Sequence, residues 1–227
     1  KAENLGNLPD GYYEQLLGGK RLDWIQCYAE GKYTFVQEGR AVWPEFNDNL
    51  MTADLEPDPS LPIHIGLDFG LTPAAVFAQR LKNGRWHVLH ELVTFEMGLE
   101  RFCSSLKADL SSRFPGYSTL VWGDPAGMQR DQIFETTSFD HLKTHGILAQ
   151  PTATNDFKTR REALAMPMGR LIDGKPGFLV DRKCIRVRKS LGGGYHFRRV
   201  SIGAGQERFR DAPNKNEHSH VGDAAGY

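Results

Sequence analysis

The chain has 227 residues, 40% of them hydrophobic and 25% charged, the proportions of a globular domain that folds in water rather than of a disordered or membrane-embedded chain. Lysine plus arginine equals aspartate plus glutamate at 28 each, so affinity for nucleic acid has to come from local segregation of charge and not from an overall basic field. The 3 cysteines, Cys27, Cys103 and Cys184, are far apart and form no CxxC pair, which argues against a zinc knot or disulfide framework and for a reduced, intracellular protein.

The start, Lys1–Asp10, has neither an initiating methionine nor an apolar signal core, as expected of a piece of a longer protein. Tyr12–Tyr33 reads as two short helical pieces broken by Gly18-Gly19, and Arg40–Phe46 as an extended segment. Pro57, Pro59 and Pro62 then block helix and strand alike, so residues 1–60 are expected to be an arm or linker and 61–227 a folded domain.

From Ile63 the pattern is rich in strands. Ile63–Asp68, Ala74–Arg80 and Trp86–Val93 predict three antiparallel strands, the last two joined by the turn residues Asn83-Gly84. Apolar residues at Leu99, Phe102, Cys103, Leu106 and Leu110 predict an amphipathic helix over Glu96–Phe114. Thr119–Gly123 and Ile147–Gln150 have the look of buried strands, and Ile133–His145 of a mostly helical stretch. Asp156–Asp173 has helical spacing, with Pro167 expected to kink or interrupt it. Phe178–Asp181, Arg186–Lys189 and Tyr195–Val200 suggest an added β element with basic edges, and His220–Tyr227 two turns of helix. No stretch approaches the roughly 20 apolar residues that cross a bilayer.

Three of these elements end in, or carry, an acid that folding alone does not require. Ile63-His64-Ile65-Gly66-Leu67-Asp68 and Leu120-Val121-Trp122-Gly123-Asp124 are apolar strands that each deliver a carboxylate at the carboxyl end. After Asp124, Pro125 forbids further pairing and leaves the acid on a rim where ligands collect. In His218-Ser219-His220-Val221-Gly222-Asp223, helical spacing sets Asp223 one turn beyond Ser219 and His220, so His220 is a candidate to orient Asp223 or touch a metal shell. Each acid alone could be ordinary turn or surface chemistry. Three carboxylates from two strands and a helix suit the hard cations Mg²⁺ or Mn²⁺, and two such ions can hydrolyse a phosphodiester without a protein nucleophile. Asp131 is either a supplementary acid or a helix cap. Basic residues cluster at Lys158, Arg160 and Arg161, at Arg182, Lys183, Arg186, Arg188 and Lys189, and at Arg198 and Arg199. Such clusters can neutralise phosphates without reading bases.

Four stretches carry a longer match: Asn7–Tyr13 with Gly39–Asn47; Ile65–Pro73; Gly123–Asp131 with Gly174–Tyr195; and Ser219–Tyr227. In these the chain resembles the C-terminal nuclease domain of the large terminase subunit of tailed bacteriophages. The resemblance implies an α/β, ribonuclease-H-like mixed sheet flanked by helices, with an added β-hairpin. It further implies a nuclease that cuts concatemeric viral DNA during packaging, with Asp68, Asp124 and Asp223 as metal ligands. An ATPase domain would precede residue 1, and the sequence holds no GxxxxGK[ST] phosphate loop of its own. The portal protein, the small terminase subunit and double-stranded DNA would be the partners, at the procapsid in the host cytoplasm. One departure is that Gly222 and Gly226 weaken the last helix, from which a loosely held Asp223 is expected. Three other readings share parts of the pattern: a resolvase or transposase of the same superfamily, a non-catalytic DNA-binding or portal-docking module, and an ATP-binding fragment related to actin and sugar kinases through Asp68-Phe69-Gly70-Leu71-Thr72.

Overall fold

The computed structural model describes residues 39–70, 72–130, 135–200 and 208–227, so the helical pieces expected in Tyr12–Tyr33, and Asp131, lie outside the described residues. The first described elements are the strands β1 (Gly39–Ala41) and β2 (Thr52–Ala53), separated by the one-turn helix α1 (Asp48–Met51). Asn47 caps α1 by accepting the N–H groups of Asn49 and Leu50. Within this segment Val42, Trp43, Phe46 and Met51 are buried in a core that also takes residues from Ala74 to Ala224.

The strands β3 (Ile63–Asp68), β4 (Ala74–Arg80) and β5 (Trp86–Val93) run antiparallel in the expected order. At the β4–β5 turn Gly84 takes φ +90°, a conformation that a side chain resists. The helix α2 (Leu99–Arg113) follows, burying Phe102, Cys103 and Leu106 on one face. Next come β6 (Thr119–Gly123), α3 (Ser138–Thr144), β7 (Ala149–Pro151) and α4 (Phe157–Met168). Pro167 falls in the last turn of α4, so it ends the helix instead of interrupting it.

The main sheet has seven strands among the described residues, in the order β2-β10-β5-β4-β3-β6-β7, where β10 is Phe178–Asp181. β3 pairs antiparallel with β4 and parallel with β6, and β10 pairs parallel with both β5 and β2. Because side chains alternate along a strand, Ile63, Ile65 and Leu67 enter the core beneath α2 and α3. His64, Gly66 and Asp68 therefore face the opposite side of the sheet. That side is covered by α4, by α5 (Ile185–Lys189) and by α6 (Ser219–Gly226).

The β element expected over 178–200 divides differently. Phe178–Asp181 is an inner strand of the main sheet, and Arg186–Lys189 is helical. The alternation of basic and apolar residues in Arg186-Val187-Arg188 imitates a sheet edge. The N–H groups of Arg186 and Val187 instead donate to the Glu91 carboxylate on β5, at 2.9 and 2.7 Å, and so start a helix. β-Structure outside the main sheet consists of the hairpin β8 (Leu171–Ile172) and β9 (Lys175–Pro176), and a three-stranded sheet. The latter joins β1, β11 (His196–Val200) and β12 (Arg208–Phe209) in the order β1-β11-β12.

Candidate active site

The site grows from the point where β3 and β6 end side by side. Leu67 is paired with Gly123, and the N–H of Asp124 donates to the Leu67 carbonyl at 3.2 Å. Asp68 and Asp124 therefore leave neighbouring parallel strands at the same level. Asp124 also caps the 3-10 turn Pro125–Met128, its carboxylate accepting the Ala126 N–H at 2.8 Å. Gly123 and Gly127 make room for the Phe69 ring, which a Cβ at either position would meet at 2.9 Å or less.

The helix α6 completes the rim because β3 lets it approach at backbone distance. A Cβ on Gly66 would lie 2.0 Å from the Ala224 carbonyl oxygen. Gly222 performs the same service on the other side of the helix, against Ser190, Tyr195 and Trp43. The glycines expected to loosen Asp223 thus seat it: its residue is 3% exposed. Arg160 Nη1 donates to Asp223 Oδ1 at 2.8 Å, the Lys215 ammonium pairs with Oδ2, and the Tyr195 hydroxyl lies 3.4 Å from Oδ1. Close packing overrides the low helix propensity of glycine.

Asp68 is 7% exposed. Burial pushes its carboxyl pKa upward, against the His220 hydrogen bond, and the charge of Asp223 adds to the rise. His220 Nδ1 lies 2.9 Å from Asp68 Oδ2; the imidazole thus serves Asp68 and not Asp223. Arg160 also stacks on the Tyr227 ring at 4.6 Å, and burial pushes the Tyr227 hydroxyl pKa upward, with the charge of Asp124 adding to the rise. Burial lowers the Arg160 pKa, but the charge of Asp223 outweighs it and the net shift is upward.

Asp68 therefore lies beside His220 and within the influence of Asp223, Asp124 stands at the end of the neighbouring strand, and Asp131 lies outside the described residues. Lys215, Tyr195 and Tyr227 carried no sequence signal strong enough to single them out, although Tyr227 stands four residues after Asp223, the spacing of one helix face. Of the basic residues, Arg161 holds the Val42 carbonyl, Glu45 and Glu162, and Arg188 grips Asp48 through two 2.7 Å bonds. Arg186 lies over the Phe95 ring. Lys158, Lys189, Arg198 and Arg199 are exposed.

A divalent cation fits the chemistry of this donor set. Burial disfavours the charge of Asp68, as does the neighbouring Asp223 carboxylate, so a cation bound there would relieve both. Among the described residues no three His, Cys, Asp or Glu side chains are grouped so as to hold a metal ion, and Arg160 and Lys215 take up the oxygens of Asp223.

Neither a protein-family model nor a curated protein matches the sequence. Solved structures do match by shape. The large terminase of a thermophilic bacteriophage aligns with 97% of this chain and 51% of its own, at TM-score 0.61 and 16% identity. The chain thus spans about half the length of that protein. The nuclease domain of the P22 large terminase aligns with 84% of this chain and 90% of its own, at TM-score 0.59 and 13% identity. The nuclease domain of the SPP1 large terminase, solved with bound Mn, aligns with 79% and 94%, at TM-score 0.50 and 17% identity. With a mixed sheet, seven-stranded among the described residues, between helical layers, the chain has the ribonuclease-H-like fold of the large-terminase nuclease domains.

Proposed function

We propose that the chain is a divalent-metal-dependent endonuclease that cuts double-stranded DNA with little sequence preference during the packaging of a viral genome. The observation that supports this reading is the bond from the Asp124 N–H to the Leu67 carbonyl, by which the ends of β6 and β3 that carry Asp124 and Asp68 adjoin. Asp68, Asp124 and Asp223 would hold one or two Mg²⁺ or Mn²⁺ ions. When bound, these ions supply the Lewis acidity for phosphodiester hydrolysis.

The chain's own residues set the geometry. His220 fixes the orientation of the Asp68 carboxylate, and the Ala126 N–H that of Asp124. Arg160 and Lys215 hold Asp223 and place two positive charges beside the rim, where an incoming phosphate is attracted. Lys158, Arg186, Lys189, Arg198 and Arg199 extend that field over the surface as contacts to the DNA backbone. The structural likeness to a full large terminase supports a packaging context, in which an ATPase domain, the portal and the small subunit would align the DNA in the host cytoplasm.

The test is incubation of supercoiled plasmid with Mn²⁺, Mg²⁺ or EDTA at high protein concentration, beside Asp124→Asn. Nicking and linearisation should require metal and vanish in the variant. A variant that cuts as well as the parent, or a parent that never cuts, overturns the reading.

A further inference from the structure

Asp223 is held by two cations of unlike freedom, Arg160 at Oδ1 and Lys215 at Oδ2. Arg160 is fixed. Its side chain is 11% exposed, its Nε donates to the Asn155 carbonyl at 3.3 Å, and its guanidinium lies 4.6 Å from the centre of the Tyr227 ring. The Lys215 side chain is 65% exposed, and its ammonium stands 5.7 Å from the centre of the Tyr195 ring. An ammonium on a flexible stem forms and leaves an ion pair more readily than a guanidinium stacked in place.

The backbone that carries Lys215 is tied on both sides. The Asn214 N–H donates to the His196 carbonyl at 2.8 Å, and the Asn216 side-chain amide donates to the Gly194 carbonyl at 2.9 Å. Withdrawal of the ammonium therefore needs rotation of one side chain and no rearrangement of the loop. The Asp223 side chain is 4% exposed while that of Lys215 reaches solvent, so the ammonium covers the carboxylate from the open side of the rim. Its charge also reaches Asp68, where it opposes the rise in pKa caused by burial. One positive charge thus serves two acids, which is the part that a divalent cation plays among carboxylates. An ammonium and a divalent cation at the same oxygen repel each other, and the other oxygen of Asp223 is already bound by Arg160.

We propose that Lys215 is an exchangeable counterion, whose ammonium and a divalent cation compete for Oδ2 of Asp223. In the pair, the lysine neutralises a buried carboxylate that a single guanidinium leaves partly uncompensated. When a divalent cation takes that oxygen, the lysine turns outward to the rim, where its charge meets the DNA backbone. The exchange sets a threshold of metal concentration below which the site stays closed. This inference rests on the reading of Asp223 as a metal ligand and adds to it the residue that regulates access.

The test is calorimetric titration with Mn²⁺ in the absence of DNA, beside melting curves in EDTA and in saturating Mn²⁺. A lysine that holds Asp223 about nine-tenths of the time weakens the apparent metal affinity about tenfold. Lys215→Gln should therefore bind Mn²⁺ about tenfold more tightly than the parent, and Lys215→Arg, which keeps the charge, should bind as the parent does. The gain should persist at high salt, which screens a buried acid little. In EDTA Lys215→Gln should melt below the parent, and saturating Mn²⁺ should narrow the difference. Equal affinities in parent and Lys215→Gln overturn the exchange, and so does weaker binding in the variant, which makes Lys215 a support of the metal site. A gain that disappears at high salt, or that Lys215→Arg shares, overturns it as well. If neither parent nor Lys215→Gln binds Mn²⁺, the reading of Asp223 as a ligand fails and the exchange fails with it.

Discussion

Gly66 on β3 and Ala224 on α6 approach so closely that a Cβ on Gly66 would sit 2.0 Å from the Ala224 carbonyl oxygen. The obstacle is backbone, so it cannot rotate away, and Gly66→Ala has to lift α6 from the sheet. Overpacking of this kind costs about 1–3 kcal/mol or more. The expected outcome is a lower melting temperature together with loss of metal-dependent plasmid cutting. Gly222→Ala, whose nearest obstacle is the Ser190 hydroxyl at 2.6 Å, should cost less in the same two assays.

Asp68→Asn should separate stability from activity. The carboxylate is buried, and its charge is disfavoured there by burial and by Asp223. Replacing it with a neutral amide of the same shape removes that penalty, so the variant should melt at or above the temperature of the parent while cutting no DNA. Mn²⁺ should raise the melting temperature of the parent, through binding to the folded state alone, and leave the variant unmoved. A variant that melts well below the parent would show that Asp68 serves the fold instead.

Arg160→Gln should destabilise the protein. The pair with Asp223 has side chains 11% and 4% exposed, and truncating one member of a buried pair costs about 3–5 kcal/mol when the other charge is left alone. Lys215 still faces Asp223, which places the expected loss at the lower end of that range. Denaturant unfolding measures it. Arg160→Lys should rescue only partly, since an ammonium cannot reproduce the flat stacking on Tyr227.

Acid should weaken the attachment of α1. Burial raises the pKa of Asp48, but the hydrogen bonds from Arg188 and Thr52 outweigh it and the net shift is downward. A carboxyl whose pKa is lower in the folded than in the unfolded chain contributes stability that is full above the unfolded value and fades as pH falls through the folded one. Stability measured by denaturant at a series of pH values should therefore decline as the pH drops below the ordinary aspartate value of 3.8, and Asp48→Asn should remove that part of the dependence. Equal slopes in parent and variant would mean that the pair contributes nothing.

Much of the centre of this molecule is written in short-range pattern. Strand alternation over Ile63–Asp68, the turn residues Asn83-Gly84 and the apolar spacing of Leu99–Leu110 each specify their element locally, and the structure contains them. The edges were less legible. Arg186–Lys189 becomes helical because Glu91, about 95 residues earlier, accepts its first N–H groups, and no local pattern announces a cap supplied by another strand. The residues from Val42 to Met51 join the core for a similar reason: their apolar partners come from α4, β10 and α6.

The sequence by itself determined that Asp68 and Asp124 stand at strand ends, because an apolar run terminated by an acid and a glycine or proline has few other ways to fold. It also determined that His220 and Asp223 share a short helix. Only the tertiary structure decided how the elements that carry these acids adjoin. That depended on the parallel pairing of Leu67 with Gly123 and on the absence of a side chain at Gly66, which brings α6 down onto β3. Tertiary structure likewise decided which cations face the rim: Arg161 and Arg188 are drawn into ion pairs with Glu45 and Asp48, while Arg160 and Lys215 turn to Asp223. Charge partners are chosen by distance in space, and spacing along the chain does not report it.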